Sequence, residues 1–466
     1  MQSNFSPSSV PTRHAIRGAL LDFVADPFYY PELECVRYFP DGLLVVESGL
    51  IQAVGDYGSL QAEYSDLPTT HYSNQLIMPG FVDTHIHYPQ IEMVAAYGEQ
   101  LLEWLNQYTF PTEAKFQDES YARKIAACFL DELLKNGTTT ALVFAAVFPE
   151  SVDAFFTEAF QRNLRMIAGK VMMDRNAPDY IRDTTESSYE QTKQLIQKWH
   201  KKGRLLYAVT PRFAVTSSDR QLQLAGQLLQ EFPDVYLHTH LSENVKEVAL
   251  VSELFPDSNG YLDVYDQAGL VCHRSVFAHG VQLTDAEFER LSAAQAAIAC
   301  CPTSNLFLGS GLFKFDRAKS RAHPVKLGMG TDIGAGTSFS LLQTANEAYK
   351  VAQLQGMSLS AFKSLYLATL GGAEALNLAE QIGNFTPGKE ADFIVLDLQA
   401  TSLLKLRNPQ VPPTLETLAD TVFALTILGD DRSIQATYIA GELAYERIGS
   451  TGASSGAYSS AHASAS

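Results

Sequence analysis

Eight short apolar segments alternate with amphipathic ones over about 300 residues, and a β-rich stretch lies on either side of them. The pattern predicts an α/β fold, a (β/α)8 TIM barrel with one accessory β domain packed from the N- and C-terminal segments. No G-x-G-x-x-G follows the first strand candidate, which disfavours the doubly wound open sheet.

In chain order, residues 12–78 form the first part of the accessory β domain, because runs such as LLVVESGLIQAV carry Gly and Asp punctuation typical of strands and turns. Residues 79–386 form the barrel. Its strand candidates are LIMPGFVDTH (76–85, beginning just before that boundary), TTTALVF (138–144), RMIAGKVMM (165–173) and RLLYAVTPR (204–212). VYLHTH (235–240), SVFAHG (275–280), AAIACC (296–301) and KLGMGTD (326–332) complete the eight. Between them, YARKIAACFLDELLKN and QLQLAGQLLQEF place apolar residues at helical spacing. Residues 387–447, with ADFIVLDL and SIQATYIAGELAYE, supply the second part of the accessory β domain. Residues 448–466 are almost all Ser, Ala and Gly, too poor in apolar surface to offset ordering entropy, and are expected to be a disordered tail.

Of the 466 residues, 46% are hydrophobic and 18% charged, an ordinary globular composition. The net charge of −18 repels phosphate backbones and anionic membranes, so neither nucleic acid nor a membrane is the expected partner. Five cysteines (35, 128, 272, 300 and 301), with no C-x-x-C pair, suit reduced thiols in a cytoplasmic protein. No 18-residue apolar run suggests a membrane helix, and Arg17 and Asp22 interrupt anything resembling a signal peptide.

The chemistry concentrates at predicted strand ends. His85 and His87 stand two apart in FVDTHIH, so both imidazoles leave the same face of the first strand. His240 closes the fifth strand in HTHLSE, with Glu243 three residues on and His238 one pleat deeper, as a supporting or core residue. His279 ends the sixth strand and Asp332 the eighth. Barrels keep their active sites at the C-terminal ends of their strands, and three His with one Asp suit a divalent ion such as Zn2+ or Fe2+. Such an ion brings the pKa of a bound water towards about 7, with Glu243, Asp332 and His279 as proton-handling groups around it. A bridged second metal is not expected: the fourth strand ends in TPRF, and Lys170 lies within the third strand candidate. Arg212, Phe213 and Gln90 offer a donor fork, an aromatic face and an amide, which suit a flat neutral heterocycle. Cys300 and Cys301 read as buried, inert thiols.

PGFVDTHIHYPQ, HTHLSE, FAHG and GTD together resemble the amidohydrolase superfamily of metal-dependent barrel hydrolases, which implies that the accessory domain is a small β-sandwich formed by the N- and C-terminal segments, residues 12–78 and 387–447. GEQLLEWLNQYTFPTE, MMDRNAPDY, TPRFAVTSS, CPTSNLFLGSGLF and GTDIGAGTSFSLLQTANEAYK resemble its guanine-deaminating branch, and the likeness spans about residues 14–446. The resemblance implies one divalent ion per subunit, most naturally Zn2+, on His85, His87, His240 and Asp332. It implies catalytic roles for Glu243, Asp332 and His279, and purine contacts from Gln90, Arg212 and Phe213, with His87 and His240 also facing the substrate. The activity implied is hydrolysis of guanine to xanthine and ammonia by a metal-activated water, in a homodimer. The rival within the superfamily acts on a related purine, a pterin or a triazine. A scaffold that had lost its metal would show broken ligand positions, and all are filled; the H-x-E…P-C-x-x-C signature of nucleic-acid deaminases is absent.

Overall fold

The computed structural model describes residues 13–98 and 100–448, so the Ser/Ala tail, Ile448 apart, lies outside the described residues. Eight parallel strands form the inner sheet: β1 (Phe81–His87), β2 (Thr138–Phe144), β3 (Arg165–Gly169), β4 (Leu206–Pro211), β5 (Tyr236–Leu241), β6 (Ser275–His279), β7 (Ala297–Cys300) and β8 (Lys326–Met329). They neighbour one another in chain order, and a two-residue strand, Val171–Met172, adds to β4. The ends of the row meet across β1 and β8. Thr84 Oγ1 donates to the Met329 carbonyl at 2.9 Å, Asp332 N–H to that of His85 at 2.9 Å, and His87 N–H to that of Ile333 at 3.0 Å. The barrel expected from the alternating pattern is therefore present and nearly closed.

Helices cover the outside. Helix α1 (Glu119–Lys135) starts where the Asp118 side chain accepts from the backbone N–H groups of Ser120 and Tyr121, and it buries Ile125, Phe129, Leu130 and Leu133 towards the strands. Inside the barrel, Val82, Leu142, Ile167, Tyr236 and Val276 pack with Leu376 and Ile382, which follow the helix Leu370–Ala375 and plug the N-terminal mouth. The Tyr236 hydroxyl donates to the Leu376 carbonyl at 2.6 Å.

The flanking segments build one seven-stranded sheet. Its order is Glu442–Glu446, Ile434–Ile439, Phe393–Leu396, Thr69–Pro79, Arg13–Phe23, Val36–Glu47 and Leu50–Asp56, antiparallel except for the pair Arg13–Phe23 and Thr69–Pro79. It curls so that Leu44, Val46 and Ile51 from one end share a core with Ala436 and Tyr438 from the other. Ile51 N–H donates to the Lys389 carbonyl at 2.8 Å across the fold. The curled sheet is the expected sandwich. A buried ionic network ties it to the barrel: Arg165 and Arg204, at the starts of β3 and β4, share Glu390, each with a contact of 2.6 Å, and Arg204 also holds Asp392. Burial pushes the Glu390 carboxyl up, but the two guanidiniums outweigh it and hold it below the usual range.

Two strand candidates run through real breaks. LIMPGFVDTH splits at Gly80, Leu76 to Pro79 pairing in the outer sheet with Phe393–Leu396 and Phe81 opening the barrel. A Cβ on Gly80 would lie 2.1 Å from Thr139 Oγ1, so only glycine fits the crossing. RMIAGKVMM breaks after Gly169, leaving Lys170 beyond β3 rather than within it. Its buried ammonium pairs with Asp183 and donates to the Val171 carbonyl at 3.1 Å, which engages it away from any bridging role.

Candidate active site

The C-terminal ends of the strands bring the predicted residues together. His85 and His87 lie in β1, His240 in β5, and His279 at the last position of β6. Glu243 follows β5 by two residues, and Asp332 follows β8 by three. Ser242, His279 and Asp332 all have left-handed backbones (φ 50°, 73° and 51°), a conformation that costs energy in a side-chain-bearing residue and collects at functional sites. Asp83 braces the Asp332 loop by accepting from Thr331 N–H at 3.1 Å and from the Thr331 hydroxyl.

Four ligand atoms converge. His87 Nε2 is 3.2 Å from His85 Nε2 and 3.2 Å from His240 Nε2. Asp332 Oδ1 is 3.1 Å from His85 Nε2 and 3.3 Å from His87 Nε2. Donor atoms about 2.0–2.1 Å from a tetrahedral zinc would lie about 3.3–3.4 Å apart, so these separations fit a common cation. Their back sides are anchored as metal-binding imidazoles usually are: His85 Nδ1 contacts His238 Nε2 at 2.8 Å, and His240 Nδ1 meets the Arg212 carbonyl at 2.7 Å. Burial holds all three imidazoles below their ordinary pKa, His87 at about 3, so each offers a lone pair. Burial alone would raise Asp332, but the imidazoles around it, His85 first, outweigh that and keep it well below the carboxylate range.

Cys301 Sγ also approaches His85 and Asp332. Burial pushes its thiol well up, and it donates to the Ala299 carbonyl at 3.4 Å, so it backs the cluster as a neutral thiol. Cys300, pushed up to about 12 by burial, is equally inert.

Beside the cluster lies a narrow cleft with about 380 Å³ of empty space, the solvent at its mouth included. Glu243, His279, Gln90, Arg212 and Phe213 line it, together with the apolar side chains of Leu101, Trp104, Leu105 and Leu308. Glu243 is buried, accepts from the Ser310 hydroxyl at 3.2 Å, and has Oε2 3.5 Å from His279 Nε2. Burial first, and the Asp332 charge second, push its carboxyl up to about 8, so it carries a proton at neutral pH. His279 Nδ1 is 2.9 Å from Asn305 Oδ1, which leaves its buried Nε2 unpartnered and 3.8 Å from Asp332 Oδ2. Phe213 sets its ring edge-on to His240, with centroids 6.4 Å apart.

Sequence reasoning missed Glu113, Ser310 and Asn305. Each lies in a string that carries the family resemblance, but a lone polar residue in a loop or short helix has no spacing signal of its own. Glu113 is fully buried and accepts from both Arg212 and Gln90.

Residues 76–444 match the sequence model of the amidohydrolase family. The chain belongs to the amidohydrolase family. Among relatives of this amidohydrolase, the guanine deaminase of Escherichia coli is 56% identical over 439 residues, covering 94% of this chain and 98% of that one. A solved guanine deaminase from Bradyrhizobium japonicum superposes with a TM-score of 0.92 at 40% identity, covering 94% and 100% of the two chains. One from C. acetobutylicum, solved with guanine in its active site, gives 0.83 at 29% identity over 92% and 99%. Within its family this amidohydrolase stands with the guanine deaminases.

Proposed function

We propose that the protein hydrolyses guanine to xanthine and ammonia with one divalent ion, zinc, on His85, His87, His240 and Asp332. The observation that carries the reading is the apposition of that ligand cluster to a cavity lined by the buried carboxyl of Glu243 and by the anchored pair Arg212 and Gln90. The bound ion would supply a water ionised at neutral pH. Arg212, Gln90 and Phe213 orient the purine, with His87 and His240 on the cavity floor.

As a water oxygen adds to C2, Glu243 gives its proton to the neighbouring ring nitrogen, so negative charge does not build on the ring. His279 Nε2 faces Glu243 and Asp332 and steadies the incoming oxygen by a hydrogen bond. Asp332 takes one water proton and passes it to the exocyclic nitrogen. The C2–N bond then breaks with ammonia leaving, and the C2 hydroxyl returns its remaining proton to the ionised Glu243 as its oxygen becomes the carbonyl of xanthine. Near-complete burial of these groups keeps bulk water from competing for the protons.

On the same reading the enzyme is a cytoplasmic homodimer. Five unpaired cysteines support a reducing compartment, and no helix among the described residues is long and apolar enough to cross a membrane. Sedimentation of the purified protein tests the dimer. The test of the activity is a guanine assay following ammonia and xanthine together with metal content per chain. Turnover at one zinc per chain supports the reading. Bound metal without turnover overturns the substrate, and turnover by metal-free protein overturns the ion's role.

A further inference from the structure

We infer that Glu113 is the residue that positions Arg212 and Gln90 and sets the substrate pocket to favour a neutral purine over its anion. The inference rests on the proposed deamination of guanine. Glu113 ends the short helix Phe110–Glu113, which directly follows a π-helical turn, Leu105–Thr109. A π turn carries an extra residue and rotates the helix beyond it, and such turns recur at functional sites. Here the turn begins at Leu105, which with Trp104 lines the cavity, and leads to Glu113, which bonds the lining residues Arg212 and Gln90.

The hydrogen bonds of Glu113 fix both neighbours. Arg212 Nη1 donates to both carboxylate oxygens, at 3.0 and 2.8 Å, while the Phe110 ring lies 5.6 Å from the guanidinium carbon. Gln90 Nε2 donates to Glu113 Oε1 at 2.9 Å, and Gln90 Oε1 accepts from Gly334 N–H at 3.2 Å. A carboxylate accepts only and a backbone N–H donates only, so the Gln90 amide has one permitted orientation. Its second N–H and the second lone pair of its oxygen are the groups left for a ligand.

The charge consequence is separate from the geometry. Arg212 and Glu113 are both buried, so little solvent screens either. Without Glu113 the guanidinium would add an uncompensated positive charge to the pocket and draw anionic heterocycles. With it, the Arg212–Glu113 pair presents donors without a net charge of its own. The proposed substrate is neutral, whereas xanthine loses a ring proton more readily, so a compensated guanidinium also holds the ionised product less tightly.

The test compares wild type, Glu113→Gln and Glu113→Asp in guanine turnover and in inhibition by xanthine, at two pH values on either side of xanthine's own ionisation. Glu113→Gln is expected to raise KM for guanine roughly tenfold to a hundredfold, with kcat falling less, as for loss of a buried charge-assisted contact that binds rather than reacts. The same variant should shift the preference of the pocket towards the xanthine anion by about tenfold, each variant being compared with wild type in the same buffer. Glu113→Asp, which keeps the charge, should raise KM and retain the wild-type preference. A purely structural residue would weaken neutral and anionic xanthine by one factor. That outcome, an unchanged KM in Glu113→Gln, or a shifted preference in Glu113→Asp overturns the inference. Absence of guanine turnover by the wild type instead overturns the proposed function on which it rests.

Discussion

Replacing Glu243 with glutamine removes one transferable proton at nearly constant shape. The glutamine oxygen can still accept from Ser310, whose hydroxyl lies 3.2 Å from Glu243 Oε1, and no cavity is created. Proton transfer to the purine ring is lost, because an amide does not give up a proton at neutral pH. General acid–base groups contribute about 10²–10⁴-fold, so kcat should fall at least about 10²-fold, or about 2.7 kcal/mol in barrier height. The pH profile gives a second signature. With its carboxyl at about 8, Glu243 keeps its proton below that pH and loses it above, so kcat/KM should hold through neutrality and then fall about tenfold per pH unit. A cation on the neighbouring ligands opposes the Asp332 charge and moves that limb to lower pH without removing it. The assay follows xanthine formation from guanine between pH 6 and 10, roughly spanning that ionisation, with metal content measured on the same samples. Turnover above about a tenth of wild type, at full metal content, would refute the proton-donor role. So would an unchanged alkaline limb in the variant.

Chelation should abolish guanine turnover and lower the thermal midpoint, and added zinc should restore both, as read by activity and calorimetry on one preparation. His87→Ala should reduce zinc per chain by at least about tenfold in affinity, measured by equilibrium dialysis, since it removes a ligand whose Nε2 lies among three others. Arg204→Ala leaves Glu390 and Asp392 partly buried with a partner missing, and should cost about 3–5 kcal/mol in urea unfolding while zinc content holds. Gly80→Ala forces a methyl to within 2.1 Å of Thr139 Oγ1 and should destabilise by about 1–3 kcal/mol; coincident wild-type and variant unfolding curves would show that the crossing tolerates a side chain.

The barrel was legible because buried parallel strands must be apolar on both faces and must alternate with helices. The ligand cluster was legible because polar residues at the ends of such strands contrast with everything before them: His85 and His87 follow Phe81 and Val82, and Asp332 follows Leu327 and Met329. Strand limits were less legible. Leu76 to His85 reads as one apolar run, and the switch of sheets depends on how closely Gly80 passes Thr139, a contact between strands. Lys170 was hidden by the same continuity. Glu113 was invisible for a different reason: its partners, Arg212 and Gln90, stand 99 and 23 residues away in sequence, and a helical turn of π type precedes it. Periodicity detects faces of regular elements, and neither a long-range ion pair nor an irregular turn has one.

The outer sheet also sets the order of events during synthesis. Its central pairing joins Thr69–Pro79 to Phe393–Leu396, so the N-terminal strands leave the ribosome long before their partner exists. At about 5–20 residues per second, the wait is some tens of seconds. Throughout it, the edge strand Thr69–Pro79 leads directly through Gly80 into a barrel that is itself incomplete until β8 emerges. An unpaired apolar edge held open for that time invites intermolecular strand addition. Productive folding of this chain therefore depends on its last 80 or so residues arriving before a neighbour's edge does, and yield in the cell should respond to translation rate and chaperone supply more than to the stability of the finished enzyme.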